Sequence, residues 1–286
     1  MNMFNTNKKK IFFTKMHGLK NDFVIINNYN KKYCFSKNLI KKISNRYTGI
    51  GCDQVLILEP PLNTFSSDFH YRIFNSNGIE VFQCGNGVRC LSQFIKKEKL
   101  ISKKKITVST NTTIMKVENI DDKVVKVWMQ EPDFHPNASH FNIQLISEKY
   151  SILVNQNLIV DFGVVFLGNP HCVIIVQDIN NINVNYIGKF LNNKSFFLEG
   201  VNVEFMEIIN KNMIKVRVYE RGVGETQACG SGACAAASIG ILNNLLNEKV
   251  VVKLNGGKIT IFWNRKKKIF NMIGETEYVY EGYFYI

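Results

Sequence analysis

No apolar run in this chain approaches the ~20 residues that a membrane-spanning helix requires. The opening segment, MNMFNTNKKKIFFTK, has only three apolar residues after its lysines and no small-residue cleavage site, so it does not read as a secretory signal. The chain reads as cytoplasmic, with no membrane partner. There is no Cys-x2-Cys pair, which argues against a structural zinc site. Nor is there a Walker-type Gly-Lys-Ser/Thr. The stretch GSGACA fits a variant of the dinucleotide fingerprint, but no continuous apolar strand precedes it and no acidic residue follows at the required distance. The cysteines number seven, and an odd count in such a chain argues against a disulfide framework.

What is present is the balance of a globular protein: 286 residues, 45% hydrophobic and 21% charged, enough for two domains. A net charge of +13 raises the question of a nucleic-acid partner. The excess comes largely from scattered lysine runs, Lys8–Lys10, Lys103–Lys105 and Lys266–Lys268, without interleaved arginines and aromatics or a known RNA or DNA module. These read as solvated lysines, and no nucleic-acid partner is expected.

Short β-branched runs bounded by turns predict strands at Asp22–Ile26, Val55–Leu58, Phe69–Phe74, Val124–Met129, Cys172–Val176, Val203–Ile209 and Ile214–Tyr219. Helices are predicted at Lys37–Arg46, Gly87–Lys97 and Ser231–Leu246. The last is apolar on nearly every face, the pattern of a buried helix. Arg72–Gly87 also superimposes on Arg217–Gly232 without gaps: Arg72 on Arg217, Glu80 on Glu225, Cys84 on Cys229, at an offset of 145 residues (84 to 229). Upstream the offset is 148, carrying Asn21 to Asn169 and Gln54 to Asn202. The chain is a duplicated unit, with a boundary expected near residues 118–133.

The two equivalent cysteines each follow a strand and open a helix. The bare N–H groups and dipole of a helix start favour a nearby negative charge, which predicts a thiol pKa lowered toward neutrality. Gly-Asn-Gly and Gly-Ser-Gly follow them, free of bulk, so that a ligand carboxylate can approach backbone amides. If the halves face one another, two such sites converge on one cleft. That suits stereoinversion at a carbon bearing a carboxylate: one thiolate removes the α-proton and the opposing thiol returns one to the other face. Neither a metal nor an organic cofactor is required.

Five stretches, KMHGLKNDFVIINN, TGIGCDQVLILEPP, DFHYRIFNSNGIEVFQCGNGVRC, LGNPHCVIIV and YERGVGETQACGSGACAAA, resemble the diaminopimelate epimerase family from about residue 12 to the C-terminal VYEGYFYI. The resemblance implies a pyridoxal-independent isomerase that interconverts LL- and meso-diaminopimelate on the route to lysine and peptidoglycan. It implies an α/β (α+β) fold of two pseudo-symmetric domains, each a mostly antiparallel or mixed sheet wrapped around a central helix. The domains expected are 1–128, with 275–286 returning to it, and 129–274. Cys84 and Cys229 become the acid/base pair, Cys84 the donor and Cys229 the acceptor from LL to meso. Gly85, Asn86, Gly230 and Ser231 would hold the α-carboxylate through backbone amides. Asn75, Asn169, Asn202 and Arg221 would read the distal amino-acid group, Arg221 pairing with its carboxylate. Asn21, Gln54 and Glu220 would contact the reacting end, Glu220 at its ammonium. His171 matches a family histidine beside one cysteine, and Tyr280 a tyrosine at the interface of a homodimer. Lys20 stands where the family usually reads glycine, and a positive φ there carries a modest strain.

The remaining candidates read as structural. Cys90 and Cys234 lie inside their helices, and Cys52 and Cys172 flank motif residues. His17 is left out of the site, and His70, His135 and His140 have no constellation around them. Rival readings are a sister proline or hydroxyproline racemase, a phenazine-pathway isomerase, a thiol redox switch and a basic nucleic-acid binder. The asparagines and the Glu220-Arg221 pair favour a substrate with a distal amino-acid group, which proline lacks.

Overall fold

The computed structural model describes residues 10–81, 84–135, 149–192 and 197–286. Lys8, Lys9 and His140 lie outside them. The chain divides into two compact units, Met1–Lys126 with Glu275–Ile286, and Val127–Gly274. In chain order the elements are β1 (Lys10–Gly18), β2 (Asn21–Asn27), α1 (Lys37–Ser44), β3 (Gln54–Glu59), β4 (Phe69–Asn75), β5 (Glu80–Val81), α2 (Gly85–Lys97), β6 (Lys105–Ser109), β7 (Ile114–Asn119) and β8 (Val124–Trp128). There follow β9 (Tyr150–Asn155), β10 (Leu158–Phe166), β11 (Pro170–Val176), a 3-10 turn at Ile179–Asn181, α3 (Val184–Leu191), β12 (Asn202–Asn210), β13 (Met213–Glu220) and β14 (Gly224–Thr226). The chain ends with α4 (Gly230–Leu242), β15 (Lys249–Leu254), β16 (Gly257–Asn264), β17 (Ile269–Glu275) and β18 (Glu277–Tyr285).

In the first unit β1 pairs antiparallel with both β2 and β18. A crossover through α1 brings β3 parallel to β2, with Phe23 opposite Gln54. β4 then pairs antiparallel with β3 and β5, and parallel with β6. The second unit repeats the plan. β10 and β11 form a hairpin, and β12 lies parallel to β11 with His171 opposite Asn202. β13 pairs antiparallel with β12 and β14, and parallel with β15. The same bidentate ion pair pins the last hairpin of each plan. Arg72 donates from Nε and Nη2 to Glu80 at 2.9 and 2.7 Å, and Arg217 to Glu225 at 2.7 and 2.9 Å.

A buried helix lies at the centre of each unit. α2 is buried from Asn86 through Ile95 and packs on β1, β2, β3 and β7. α4, built of alanine, glycine and isoleucine, is buried at eleven of its thirteen positions and packs on β10 to β13, β15 and β16. Both helices end in the same hydrogen-bonded motif. Lys99 (φ 52°) and Asn244 (φ 57°) are left-handed, and the N–H groups of Leu100 and Leu245 return to the carbonyls of Ile95 and Gly240 at 3.1 and 2.9 Å. This stops α4 at Leu242, four residues before the predicted end. Leu246 instead folds back onto Gly240, where an added Cβ would meet its Cδ1 at 2.3 Å. The sequence reading also lacks α3, whose eight residues are capped by Asn183 accepting from the Tyr186 N–H at 3.1 Å.

Candidate active site

Each central helix begins at a cysteine for a local reason. Cys84 and Cys229 have extended backbone and serve as N-caps. Cys84 Sγ accepts the Gly87 N–H and Cys229 Sγ the Gly232 N–H, both at 3.3 Å. A thiol thus takes the place that serine or aspartate usually fills, and it sits where the helix dipole favours negative charge.

Around Cys84, Asn21 Oδ1 lies 3.9 Å from Sγ and accepts from Asn86 Nδ2 at 3.3 Å. The other end of that amide, Asn21 Nδ2, donates to Asp53 Oδ2 at 3.0 Å, which fixes its orientation. Asp53 and Asp22 share Arg46, bidentate on Asp22 at 2.9 Å and 2.8 Å from Asp53. Lys15 adds a 2.7 Å bond to Asp22 and another to the Gly51 carbonyl. Burial works to raise the Asp22 carboxyl, but the bonds from Arg46 and Lys15 outweigh it and hold it well below the usual carboxylate range. Arg89, fully buried one turn into α2, donates to Asn86 Oδ1 at 2.9 Å and to the Gly85 carbonyl at 3.4 Å. Gln54 Nε2 donates to Asn75 Oδ1 at 2.8 Å across β3 and β4, while Gln54 Oε1 is buried with no partner among the described residues. The unit therefore brings Asn21 and Asn86 to Cys84, and Gln54 to Asn75.

Around Cys229, Ser231 Oγ lies 3.4 Å from Sγ, and Gly230 is buried at the helix start. Burial pushes the Cys229 thiol well above its ordinary pKa; Glu220 and Glu204 add to the rise, and the bonds from Ser231 and Gly232 offset only part of it. The lowered pKa expected from the helix dipole is not what this site shows, because desolvation and two carboxylates outweigh the dipole. Glu220 accepts from Thr226 Oγ1 at 2.5 Å. Asn202 Oδ1 accepts from the Arg221 backbone N–H at 3.0 Å, while the Arg221 side chain donates to the Glu199 carbonyl at 3.0 Å and remains 40% exposed. His171 is wholly buried between Glu204 (Nδ1 to Oε1, 2.8 Å) and Asn169 (Nε2 to Oδ1, 3.0 Å).

Sequence reasoning missed Glu204, Asp53 and Arg46. Glu204 had a visible signal, a carboxylate inside the apolar run of NVEFM where the duplicate reads QVLIL. His70 is a correction: it is buried in a polar cluster, 3.1 Å from Ser109 Oγ, which lies 3.1 Å from Ser67 Oγ. Burial lowers its pKa, which marks a satisfied core histidine. Cys52, Cys90, Cys172 and Cys234 are all buried. Tyr280, on β18, stacks edge-to-face on Phe13 at 5.8 Å and is 42% exposed. Among the described residues no helix is long and apolar enough to cross a membrane, and no group of three or more acidic, histidine or cysteine side chains is placed to hold a metal.

Two proteins of Buchnera aphidicola subsp. Acyrthosiphon pisum, from strains 5A and APS and both called diaminopimelate epimerase, are 50% identical to this chain over 288 aligned residues, covering 100% of each. Among solved structures, a hydroxyproline epimerase from Agrobacterium vitis with bound trans-4-hydroxy-L-proline superposes with a TM-score of 0.72 at 10% identity, over 98% of this chain and 94% of that one. A Bacillus anthracis phenazine biosynthesis protein of the PhzF family gives 0.67 at 14% identity, over 97% and 100%. At such identities these two share the fold alone. The sequence profile described as diaminopimelate epimerase matches residues 13–135 and 163–279. With that profile spanning both units and relatives half identical along its whole length, the chain is an isomerase belonging to the diaminopimelate epimerase family.

Proposed function

We infer that this protein interconverts LL- and meso-2,6-diaminopimelate through a thiolate and a thiol, supplying lysine and peptidoglycan precursors. The observation that carries the reading is the repeated cap, a cysteine sulfur 3.3 Å from the third amide of a buried helix in each of two equivalent units. Abstraction of an α-proton leaves negative charge beside the carboxylate. The Gly85-Asn86 and Gly230-Ser231 amides hold that carboxylate and stabilise the charge as it builds. Asn21 and Gln54 meet the reacting end, where the buried Gln54 Oε1, without a partner among the described residues, is an acceptor for an ammonium. Asn75, Asn169, Asn202 and Arg221 read the distal group, the half-exposed guanidinium pairing with its carboxylate.

Proton affinities set a requirement on the order of events. Without ligand, burial and the neighbouring carboxylates keep Cys229 in the thiol form. For Cys229 to accept the proton of the LL isomer, with Cys84 donating on the opposite face, the charge of Glu220 must first be offset. A substrate ammonium beside Glu220 does so, so binding itself activates the base. His171 supports this half-site. The protein works in the cytoplasm as a homodimer that joins along β18, where Tyr278, Val279, Tyr280, Tyr283 and Tyr285 are each exposed.

Purified protein with no added cofactor, given LL-diaminopimelate under reducing conditions, is expected to produce the meso isomer and to leave L-proline unchanged. Turnover of proline without turnover of diaminopimelate would overturn the substrate assignment while leaving the two-thiol chemistry standing.

A further inference from the structure

The duplication gives the molecule an internal comparison. At the offset of 148 residues, His171 falls on Phe23 and Glu204 on Leu56. The ladders agree, since Phe23 lies opposite Gln54 and His171 opposite Asn202 in parallel pairs of the same kind. Leu56 and Glu204 hold the same place beneath their helices. A Cβ on Gly87 would meet Leu56 Cδ2 at 3.4 Å, and one on Gly232 would meet Glu204 Oε1 at 2.8 Å. All four side chains are completely buried. The fold therefore accepts an apolar pair at this position behind one cysteine and carries a titratable pair behind the other.

The titratable pair has a cost. A buried carboxyl that leaves an oxygen unpaired is unfavourable, and Glu204 Oε2 has no hydrogen-bond partner among the described residues. Replacing a buried ion pair by packed apolar residues is often neutral or stabilising, and the other unit shows that the frame holds such residues. Stability alone does not account for Glu204.

We propose that Glu204 is a positioning residue of the Cys229 half-site, acting through His171 on Asn169 and through its charge on Cys229. Nδ1 bonds Glu204 Oε1, and with the Asn169 amide as placed, its oxygen toward the ring, Nε2 is the atom that carries the hydrogen donated to Asn169 Oδ1. The oxygen end of the Asn169 amide is thereby fixed, leaving its N–H donors for an oxygen of the substrate. Unit 1 fixes Asn21 through a different carboxylate, Asp53, so each half-site orients its asparagine by its own device. The titratable groups facing Glu204 are His171 and Cys172 on β11, Glu220 on β13 and Cys229 at the head of α4.

This inference rests on the proposed epimerisation, and its test separates the two. The double variant His171→Phe with Glu204→Leu copies the unit 1 pair; Glu204→Gln keeps an acceptor for Nδ1 but removes the charge. The double variant is expected to melt at or above the wild-type temperature, yet to lose about 10–100-fold in kcat/KM for diaminopimelate, the usual scale for a supporting residue. Glu204→Gln should retain more of that activity. A second readout needs no substrate: the pH dependence of iodoacetamide alkylation at each cysteine, followed by peptide mass spectrometry. Both variants should move the Cys229 profile to lower pH and leave that of Cys84 in place. A double variant with wild-type kcat/KM and an unmoved Cys229 profile would reduce the pair to packing and overturn the inference. Wild-type protein inert toward diaminopimelate would instead overturn the proposed function, and the alkylation profiles would still decide what Glu204 does to Cys229.

Discussion

Lys20 shows how much a single residue discloses. The β1–β2 hairpin turns through Leu19 and Lys20, at φ 57° and 66°, between paired Gly18 and Asn21. Two positive φ values make a turn that matches the twist of the flanking strands and favours glycine. A lysine there carries about 1–2 kcal/mol of left-handed strain, against roughly 0.5–1 kcal/mol that a glycine would lose in chain entropy. Lys20→Gly is therefore expected to raise the unfolding free energy by about 0.5 kcal/mol, read from the urea midpoint at unchanged slope. A lowered midpoint would mean that the strain is relieved elsewhere. This position was legible because residue type and turn chemistry are local. Glu204 was less so: a carboxylate in a strand reads as an exposed face until the helix above it is placed. The direction of the Cys229 shift was not legible at all, since a dipole can be inferred from a helix start but burial cannot.

At the level of elements, seven of the strands and both cysteine-capped helices were readable from periodicity and from the repeat, while strands such as β1, β10 and β15 to β18 were not named. The errors arose where one contact decides. α4 ends early because Asn244 turns left-handed and Leu246 covers Gly240, neither of which apolar periodicity reveals. α3 was overlooked because eight residues give too short a pattern. It nonetheless packs tightly: a Cβ at Gly188 would meet Cγ and Cδ2 of Tyr219 at 2.3 and 2.6 Å. Alanine is the better helix former by ~1 kcal/mol, but forcing a methyl against a ring held on β13 costs about 1–3 kcal/mol. Gly188→Ala should thus lose net stability, of order 1 kcal/mol by those figures. A gain in thermal midpoint would contradict the packing described for this helix.

At the scale of the whole molecule, the duplicated plan distributes buried thiols through both units. Burial raises Cys52 to about 11, with only partial relief from its bond to Ser44, and pushes Cys90, Cys172 and Cys229 higher than their ordinary values. The sign follows from linkage. Folded thiols with raised pKa hold their protons where unfolded thiols, with pKa ~8.5, release them, so stability is full below that value and falls as pH rises. Each such thiol contributes a loss approaching ~1.4 kcal/mol per pH unit above it, continuing for Cys52 up to about 11. Urea midpoints measured from pH 7 to 10 under reducing conditions should therefore decline steeply beyond pH 8.5. A flat profile would show that these cysteines are hydrated in the folded state.

The central claim is that two cysteines, one from each unit, exchange protons with one substrate carbon. The most direct test is NMR of the α-proton of LL-diaminopimelate in D2O under reducing conditions with no added cofactor, comparing wild type, Cys84→Ala and Cys229→Ala. Wild type should form the meso isomer with deuterium at the inverted centre, and each variant should form none. Interconversion that survives in either variant would mean that a single base suffices, and the two-thiol account would be wrong.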